Sequence, residues 1–333
     1  MSFSEMNEIE LVELPAHRVF EELGYQKLEG TDVHSERQSY NDVILTTRLE
    51  RKIRELNPDL PEIVYETTIN QVKSLSNPST IQNNQEFHQM LLAGVKVPFQ
   101  SEGQTKYYAV RLVDFENPQN NDFAAVRQLI VLQHKQRRLD HVLFVNGLPL
   151  VILEYKDPTN PSADIVAAHK QLGTGNYQKH IPRIFNYNAF LIISDKTYAR
   201  YGTMTAPFER FSDWNDPEDP DRTVANRLEM MQRLMLNKES LLELIQNYLE
   251  YESGGKMTVK KIAQQHQYLG AKKAVEKTLE VFSQKDENRI GIIWHTTGSG
   301  KSLTMILYTN MISQIKHLEN PTFVILTDRK DLD

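Results

Sequence analysis

The stretch Leu139-Asp-His-Val-Leu-Phe-Val-Asn-Gly-Leu-Pro-Leu-Val-Ile-Leu-Glu-Tyr-Lys156 places two apolar runs around Asn146-Gly147. An Asn-Gly pair between such runs is the strongest short-range pattern for a β-hairpin. Alternate residues of a strand share a face, so Glu154 and Lys156 are expected to point the same way. Asp140 stands at the outer end of the partner strand. The sequence therefore predicts a hairpin with two carboxylates and an amine at its open end.

The register of this hairpin decides whether the two carboxylates meet. An ideal two-residue turn would pair Asp140 with Leu153 and leave Asp140 on the face opposite Glu154. A shared site therefore requires a three-residue loop, a β-bulge, or an Asp140 just outside the ladder. Pro149 has no N–H to donate to a ladder, which favours an irregular hairpin.

The chemistry predicted for this group is that of a Mg²⁺ site. Asp140 and Glu154 would hold the metal through carboxylate oxygens, and the metal would acidify water and clamp a phosphate. Lys156 would orient the nucleophile or offset developing charge. The alternative is an ordinary buried hairpin with solvated polar ends, because a D…ExK pattern is short and common.

Length and composition limit the classes of protein to which this chain can belong. The chain has 333 residues, enough for two domains, with 40% apolar and 25% charged residues, as in soluble globular proteins. It has no cysteine, which excludes disulfides and thiolate metal sites. There is no apolar run of membrane-spanning length, and the start MSFSEMNEIE is acidic, so no membrane association is expected and a cytoplasmic protein is predicted.

The charge pattern has one basic feature beside the predicted site. The net charge of −6 argues against a chain that binds nucleic acid over its whole surface. However, His134-Lys-Gln-Arg-Arg138 immediately precedes Asp140. These residues could hold a phosphodiester backbone, or they could be a solvated approach to the strand.

Periodicity predicts an α/β fold. The order of three strands, a helix and a further strand would place the last strand beside the hairpin through a crossover helix. We place a domain boundary between Trp214 and Gly255. The predicted helices are about 9–23, 40–56, 61–75, 87–92, 163–171, 224–235, 238–251 and 268–282, and the predicted strands are 107–115, 123–132, the hairpin and 186–194, with a turn region at 199–202.

A second motif is Gly291-Ile-Ile-Trp-His-Thr-Thr-Gly-Ser-Gly-Lys-Ser302, followed by an apolar helix. An apolar strand, here about 290–294, that enters a glycine loop before a helix is the context of a phosphate-binding P-loop. Lys301 would reach the β/γ oxygens and Ser302 would ligate Mg²⁺. His295 replaces the first glycine, so the motif has the shortened form of helicase-type motors. The predicted ATP-binding residues are Thr297, Gly298, Ser299, Gly300, Lys301 and Ser302.

The surroundings of this loop predict an incomplete motor. Gln267, ahead of the helix 268–282, could read the base of the nucleotide or could be a solvated cap residue. Residues 323–326 predict one more buried strand, but a RecA-like motor needs several further strands, one of which ends in acidic metal and water ligands. We therefore expect this chain to be the N-terminal portion of a longer protein and to show no meaningful ATPase activity alone.

With both motifs identified, the chain resembles the restriction (motor, endonuclease) subunit of type I restriction-modification enzymes. The resemblance spans nearly the whole chain in family order. The stretches that carry it are Phe144-Val-Asn-Gly-Leu-Pro-Leu150 with Glu154-Tyr-Lys156, Ile181-Pro-Arg-Ile-Phe-Asn-Tyr-Asn188, Ile293-Trp-His-Thr-Thr-Gly-Ser-Gly-Lys-Ser302 and Thr327-Asp-Arg-Lys-Asp-Leu-Asp333.

The resemblance implies roles for individual residues. Asp140, Glu154 and Lys156 would form the PD-(D/E)xK nuclease triad, although Leu139 replaces the leading proline. Lys301 would be the ATP-binding lysine.

The family also has a QxxxY element before the Ile-Pro segment. Tyr177 matches its tyrosine, but Gly173 occupies the glutamine position. Gln171 lies two residues too early, which a short insertion at 173–175 would explain.

The implied fold is a PD-(D/E)xK nuclease-like domain, a mixed sheet flanked by helices, at 1–215. A helical linker at 216–259 and the truncated beginning of a RecA-like P-loop translocase domain at 260–333 would follow. The implied function is Mg²⁺-dependent cleavage of double-stranded DNA, driven by ATP, together with methylation and specificity subunits. Two alternatives are a helicase-associated repair nuclease and a non-cleaving docking module of a DNA motor; the intact triad argues against the latter.

Overall fold

The computed structural model describes residues 3–101, 103–160, 164–218, 226–254, 257–283, 289–318 and 321–326. The chain divides into two compact units, Met1–Gln246 with Glu250–Lys261, and Asn247–Leu249 with Ile262–Asp333. The described residues 226–246, which were predicted to form part of a helical linker, belong to the first unit. The stretch 327–333, which carries part of the family resemblance, and Gly255 lie outside the described residues.

The elements are as follows. The strands are β1 Gln26–Glu29, β2 Val95–Ser101, β3 Gln104–Val110, β4 Phe123–Leu132, β5 Gln136–Val145, β6 Leu148–Tyr155, β7 Phe190–Ser194, β8 Ala199–Gly202, β9 Leu249–Ser253 and β10 Thr258–Ile262. The α-helices are α1 Phe3–Glu8, α2 Leu14–Glu22, α3 Thr46–Leu56, α4 Glu62–Lys73, α5 Thr80–Ala93, α6 Ile165–Leu172, α7 Tyr177–His180, α8 Pro182–Phe185, α9 Arg227–Met235, α10 Lys238–Asn247, α11 Gln265–Ser283 and α12 Lys301–Ser313.

The core of the first unit is a six-stranded mixed sheet in the order β1-β4-β5-β6-β7-β8. β4, β5 and β6 form an antiparallel meander, and β7 joins β6 in parallel after the crossover through α6. β1 is parallel to β4, and β8 is antiparallel to β7. The predicted placement of the strand at 190–194 beside the hairpin is confirmed. The whole of β6 is buried, as its unbroken apolar run indicates.

The hairpin is irregular, as the register argument predicted. Its turn is a two-residue Asn146-Gly147 turn in which both residues have positive φ, 53° and 81°. Beyond the turn the register shifts, because Phe144 pairs with Pro149 whereas Leu143 pairs with Val151. One extra residue of β6 forms a β-bulge between these pairs. The bulge brings Asp140 level with Glu154.

The hairpin turn lies in the protein interior, where α3 begins. The Gly147 carbonyl accepts a hydrogen bond of 2.9 Å from the Leu45 N–H, and a Cβ at position 147 would lie 2.5 Å from the Leu45 carbonyl oxygen. The Asn146 side chain donates to the Leu112 carbonyl and accepts from the Asp122 N–H, each at 2.8 Å. The Asn-Gly pair is therefore fixed by packing as well as by its turn geometry.

Several elements of the first unit differ from the predictions. Residues 199–202, predicted as a turn region, form β8, because Ala199–Gly202 pairs with β7 in the sheet. The helix predicted at 238–251 ends at Asn247, and Leu249–Ser253 pairs with β10 instead. The helix predicted at 87–92 is longer and begins at Thr80.

The two strands predicted for the second unit do not form. Residues 290–294 and 323–326 have no regular secondary structure, and Ile292, Trp294 and Leu326 are almost fully exposed. A strand of this apolar type needs neighbouring strands that hydrogen-bond to it and bury both faces. Within the described residues from 263 onwards, only helices and loops are present. Among the helices that the structure describes, none is both long and apolar enough to cross a membrane.

Candidate active site

The open end of the hairpin holds Asp140, Glu154 and Lys156 together. Directly opposed residues of antiparallel strands point to the same face of the sheet. The Tyr155 N–H donates to Asp140 Oδ2 at 2.8 Å, and Lys156 Nζ donates to Glu154 Oε1 at 2.8 Å. All three side chains are buried, and Glu154 is 0% exposed. The predicted group of two carboxylates and an amine therefore exists as one contiguous cluster.

Two further carboxylates, which the sequence analysis missed, join this cluster from the N-terminal helical segment. Glu8, Glu13 and Asp140 each offer a carboxylate oxygen, and these three oxygens lie within 4.8 Å of one another. Glu13 is 1% exposed. It shares a helical face with the buried Ala16 and Phe20 at a spacing of three and seven residues, and an acid on an apolar face is a pattern that could have identified it.

A π-helical turn explains how both acids reach the cluster. Residues Ile9–Glu13 form this turn between α1 and α2, and the Leu14 N–H donates to the Ile9 carbonyl five residues earlier. In a regular α-helix, Glu8 and Glu13 would point about 140° apart around the axis. The wider π-turn reduces this angle, and such turns are frequent at functional sites.

The segment that carries Glu8 is held against the chain that follows β6. Ser4 Oγ donates to Asp157 Oδ2 at 2.9 Å, and Asn7 Nδ2 donates to Thr159 Oγ1 at 3.1 Å. Glu8 Oε2 lies 4.0 Å from Lys156 Nζ. The helix thus contributes a carboxylate and covers one side of the cluster.

The pKa values show that the buried cluster disfavours the negative charge of its carboxylates. Burial and, after it, the Asp140 charge raise the pKa of Glu13 to about 7, although the contacts with Gln128 and Arg127 lower it. Burial also raises the pKa of Asp140 to about 6, although Lys156 opposes the shift. Burial raises the pKa of Glu8 to about 6 and holds that of Glu154 well above its usual range. A bound cation would relieve this repulsion.

The donor set fits a hard divalent cation. The ligand atoms are all carboxylate oxygens, which Mg²⁺ prefers. Glu154 Oε2 is buried and has no hydrogen-bond partner, which is costly unless a cation or proton occupies the position. Burial alone would lower the pKa of Lys156, but Glu154 and Asp140 outweigh it and raise the pKa, so Lys156 remains an ammonium.

Gln171 and Tyr177 lie beside the carboxylates in spite of their irregular spacing. Gln171 Nε2 donates to the Tyr177 hydroxyl at 2.7 Å, and that hydroxyl donates to the Arg138 carbonyl at 3.0 Å. Burial raises the pKa of Tyr177, and the charges of Glu154 and Asp140 raise it further. The two side chains form one hydrogen-bonded pair at the edge of the cluster.

In the second unit, the predicted P-loop residues form a turn that leads into α12. Gly298 and Gly300 have φ values of 80° and 82°, which favour glycine. Lys301 and Ser302 begin the helix, and both side chains are exposed. The loop therefore presents an amine and a hydroxyl at the first turn of an apolar helix.

Gln267 contacts this loop directly. Its side chain is 4% exposed, and Nε2 donates to the carbonyls of Ser299 and Gly300, both at 3.1 Å. Its Oε1 accepts from the Gln264 N–H at 2.8 Å. Gln267 is therefore a cap residue of α11, as one alternative held, but it is buried against the loop rather than solvated.

Comparisons with known proteins agree with this arrangement. Residues 5–210 match the family described as type I restriction enzyme R protein N terminus, and residues 266–333 match the SWI2/SNF2 ATPase family. The type I restriction enzyme HindI endonuclease subunit of Haemophilus influenzae is 38% identical over 98% of this chain and 32% of its own length. A Methanocaldococcus jannaschii protein, provisionally named type I restriction enzyme MjaIXP endonuclease subunit, is 32% identical over 99% of this chain and 34% of its own length.

The chain spans about a third of the length of these curated relatives. The match to the R protein family covers more than half of the chain and includes the whole carboxylate cluster with Lys156. This chain therefore belongs to the family of type I restriction enzyme R protein N termini, with an ATPase-related segment after it.

Proposed function

We propose that this chain is the nuclease region of the DNA-cleaving subunit of a type I restriction enzyme. The nuclease would be of the PD-(D/E)xK type and dependent on Mg²⁺. The observation that carries the proposal is the bulged hairpin, which places Asp140 level with Glu154. At this end of the hairpin, Lys156 donates a hydrogen bond to Glu154. Its substrate would be double-stranded DNA, and its partners would be the methylation and specificity subunits.

The four carboxylates of Glu8, Glu13, Asp140 and Glu154 would hold the metal. When bound, Mg²⁺ acidifies a water molecule and stabilises charge on the phosphate. Lys156 Nζ donates to Glu154 Oε1, which leaves the unpartnered Oε2 for the cation.

The hydrogen-bond donors of Lys156 support a role for its ammonium in contacting the reacting groups. An ammonium has three N–H donors. Two of them are used by Glu154 Oε1 and the Tyr155 carbonyl. The third can donate to the attacking water or to a phosphate oxygen, where it would offset charge that develops in the transition state.

We further propose that the second unit contributes to an ATP site of a DNA translocase. Residues 297–302 would contact the phosphates, Lys301 the β/γ oxygens and Ser302 the Mg²⁺ of the nucleotide. Gln267, held by the loop carbonyls, would contact the base. The match of residues 266–333 to an ATPase family supports this role.

The proposal is tested by Asp140→Asn in the complete subunit, assembled with its partner subunits, Mg²⁺ and ATP. Loss of a metal-binding carboxylate is expected to lower DNA cleavage by at least about a hundredfold. Asp59→Asn is the matched control, because Asp59 is exposed and its positive φ of 64° suits asparagine. Cleavage at the wild-type rate by Asp140→Asn would refute the assignment.

A further inference from the structure

A cleft of 390 Å³ lies at the start of β5 and is lined by four basic residues, His134, Lys135, Lys179 and His180. The two chain segments are joined because the N–H groups of His134 and Lys135 donate to the His180 carbonyl at 3.0 and 3.4 Å. The backbone thus fixes the cleft in place. Its side chains come from the segment before β5 and from the short helix α7.

The cleft offers hydrogen-bond donors and no negative charge. Arg137 donates from Nε and Nη2 to His180 Nδ1, at 3.1 and 2.8 Å. A guanidinium has no acceptor, so Nδ1 accepts from Arg137, and the Asn176 side chain also lies 3.1 Å from Nδ1. Burial and the charges of Arg137, Lys135 and Lys179 lower the pKa of His180.

The positive charge here is not neutralised within the described part of the chain. Nearby, Arg183 pairs with Asp42 at 4.0 Å. In contrast, Lys135, Arg137, Arg138 and Lys179 form no ion pair with any described carboxylate. Lys135, Arg137 and Lys179 lie at the cleft as uncompensated cations, while Arg138 points to the other face of β5, in a chain whose net charge is −6. Such a cluster is typical of a surface that holds phosphates.

The cleft adjoins the candidate active site through Tyr177. The Arg138 carbonyl accepts from the Tyr177 hydroxyl, and the Arg137 guanidinium lies 5.9 Å from the Tyr177 ring centre. Arg137 precedes Asp140 on β5 by three residues and points to the opposite face of the strand, and Lys135, just before β5, precedes Asp140 by five. At ~3.3 Å per strand residue, this separation is roughly 10–17 Å.

We propose that this basic cleft binds the phosphate backbone of the duplex DNA that the active site cleaves. The inference rests on the proposed nuclease function and adds a binding site to it. With ~3.4 Å of axial rise per nucleotide of one strand, the cleft would hold phosphates roughly three to five nucleotides from the scissile bond. Because phosphate oxygens carry no sequence information, the contact is independent of base sequence.

The test is the salt dependence of duplex binding by Lys135→Ala/Lys179→Ala, measured by fluorescence anisotropy with Mg²⁺ in a Lys156→Ala background that does not cut. The slope of log affinity against log salt is negative, and each lost phosphate contact reduces its magnitude by about 1, so a reduction of about 2 is expected. The control is Lys96→Ala/Lys106→Ala, which removes the same charge from exposed positions on β2 and β3 and should leave the slope nearly unchanged.

Three results would overturn the inference. These are an unchanged slope in the cleft variant, an equal reduction in the control, and a loss of affinity confined to single-stranded DNA or to one base sequence. If the slope is unchanged while the chain with Lys156 intact cleaves DNA in its assembly, only the cleft assignment fails. If the chain neither binds duplex DNA nor cleaves it, the proposed function fails as well.

Discussion

Replacing Lys156 by alanine in the complete subunit is expected to abolish DNA cleavage and to leave the DNA-stimulated ATPase intact. The substitution removes the ammonium that binds Glu154 and can donate to the reacting groups. Removing one such donor from a buried site typically lowers the rate by about 10²- to 10³-fold. The predicted ATP-binding residues belong to the other compact unit, so nucleotide turnover should not need Lys156.

Both activities are measured on the assembled enzyme with the same DNA. Lys301→Ala, in contrast, should abolish ATP turnover. Lys96→Ala, an exposed lysine on β2, is the control for loss of one positive charge. Joint loss of cleavage and ATPase in Lys156→Ala would show that Lys156 has a structural role or that the two activities are obligately coupled.

Glu13→Gln is expected to affect activity and stability in opposite directions. The substitution removes one of the carboxylates proposed to hold Mg²⁺, so cleavage should fall by about 10- to 100-fold. It also removes a buried negative charge beside Asp140. Without metal and above pH 7, the free energy of unfolding should therefore rise by about 1–3 kcal/mol.

The pH dependence follows from the raised pKa of Glu13. A carboxyl group whose pKa rises from 4.5 in the unfolded chain to about 7 in the folded chain binds its proton more tightly when folded. Its contribution to stability is present below pH 4.5 and is lost as the pH rises through about 7. The stability difference between Glu13→Gln and wild type should therefore be small under acidic conditions and appear across this window.

Chemical unfolding with chelator present, at several pH values, measures this difference. Glu10→Gln, an exposed position on the same π-turn, controls for replacement of an acid in this segment. A Glu13→Gln variant that is less stable than wild type at every pH would contradict this prediction. It would show that Glu13 stabilises the packing of the folded chain and that its charge does not destabilise it.

The hairpin could be predicted because its determinants are local. Asn146-Gly147 defines the turn, and the spacing of Glu154 and Lys156 places them on one face of a strand. The need for an irregularity followed from the register, but its position between Phe144 and Leu143 did not, since a bulge depends on how both strands pack.

The carboxylates from the N-terminal segment were not found because their approach is tertiary. Glu13 reaches Asp140 across more than a hundred residues, through a π-turn that departs from the 3.6-residue periodicity used to read helices. Gln267 was recognised as a candidate, yet its burial against Ser299 and Gly300 depends on how α11 packs on the loop.

The prediction of strands at 290–294 and 323–326 was wrong for a related reason. Apolar runs predict that a segment prefers to be buried, but a strand exists only where a neighbour pairs with it. Trp294 and Leu326 are 84% and 91% exposed, and neither lies in a described strand. Both segments are apolar, as the sequence shows, but they form no strand because strand pairing depends on neighbouring segments and is not a local property.

Binding of Mn²⁺ in place of Mg²⁺, located by anomalous scattering in crystals of this chain, tests the metal assignment most directly. An anomalous peak is expected among the carboxylate oxygens of Asp140, Glu154, Glu8 and Glu13, at ~2.0–2.3 Å from its ligands, as for a hard divalent cation. The peak should be absent in crystals of Asp140→Asn. Crystals of the wild-type chain at saturating Mn²⁺ with an intact cluster and no peak among these oxygens would contradict the account.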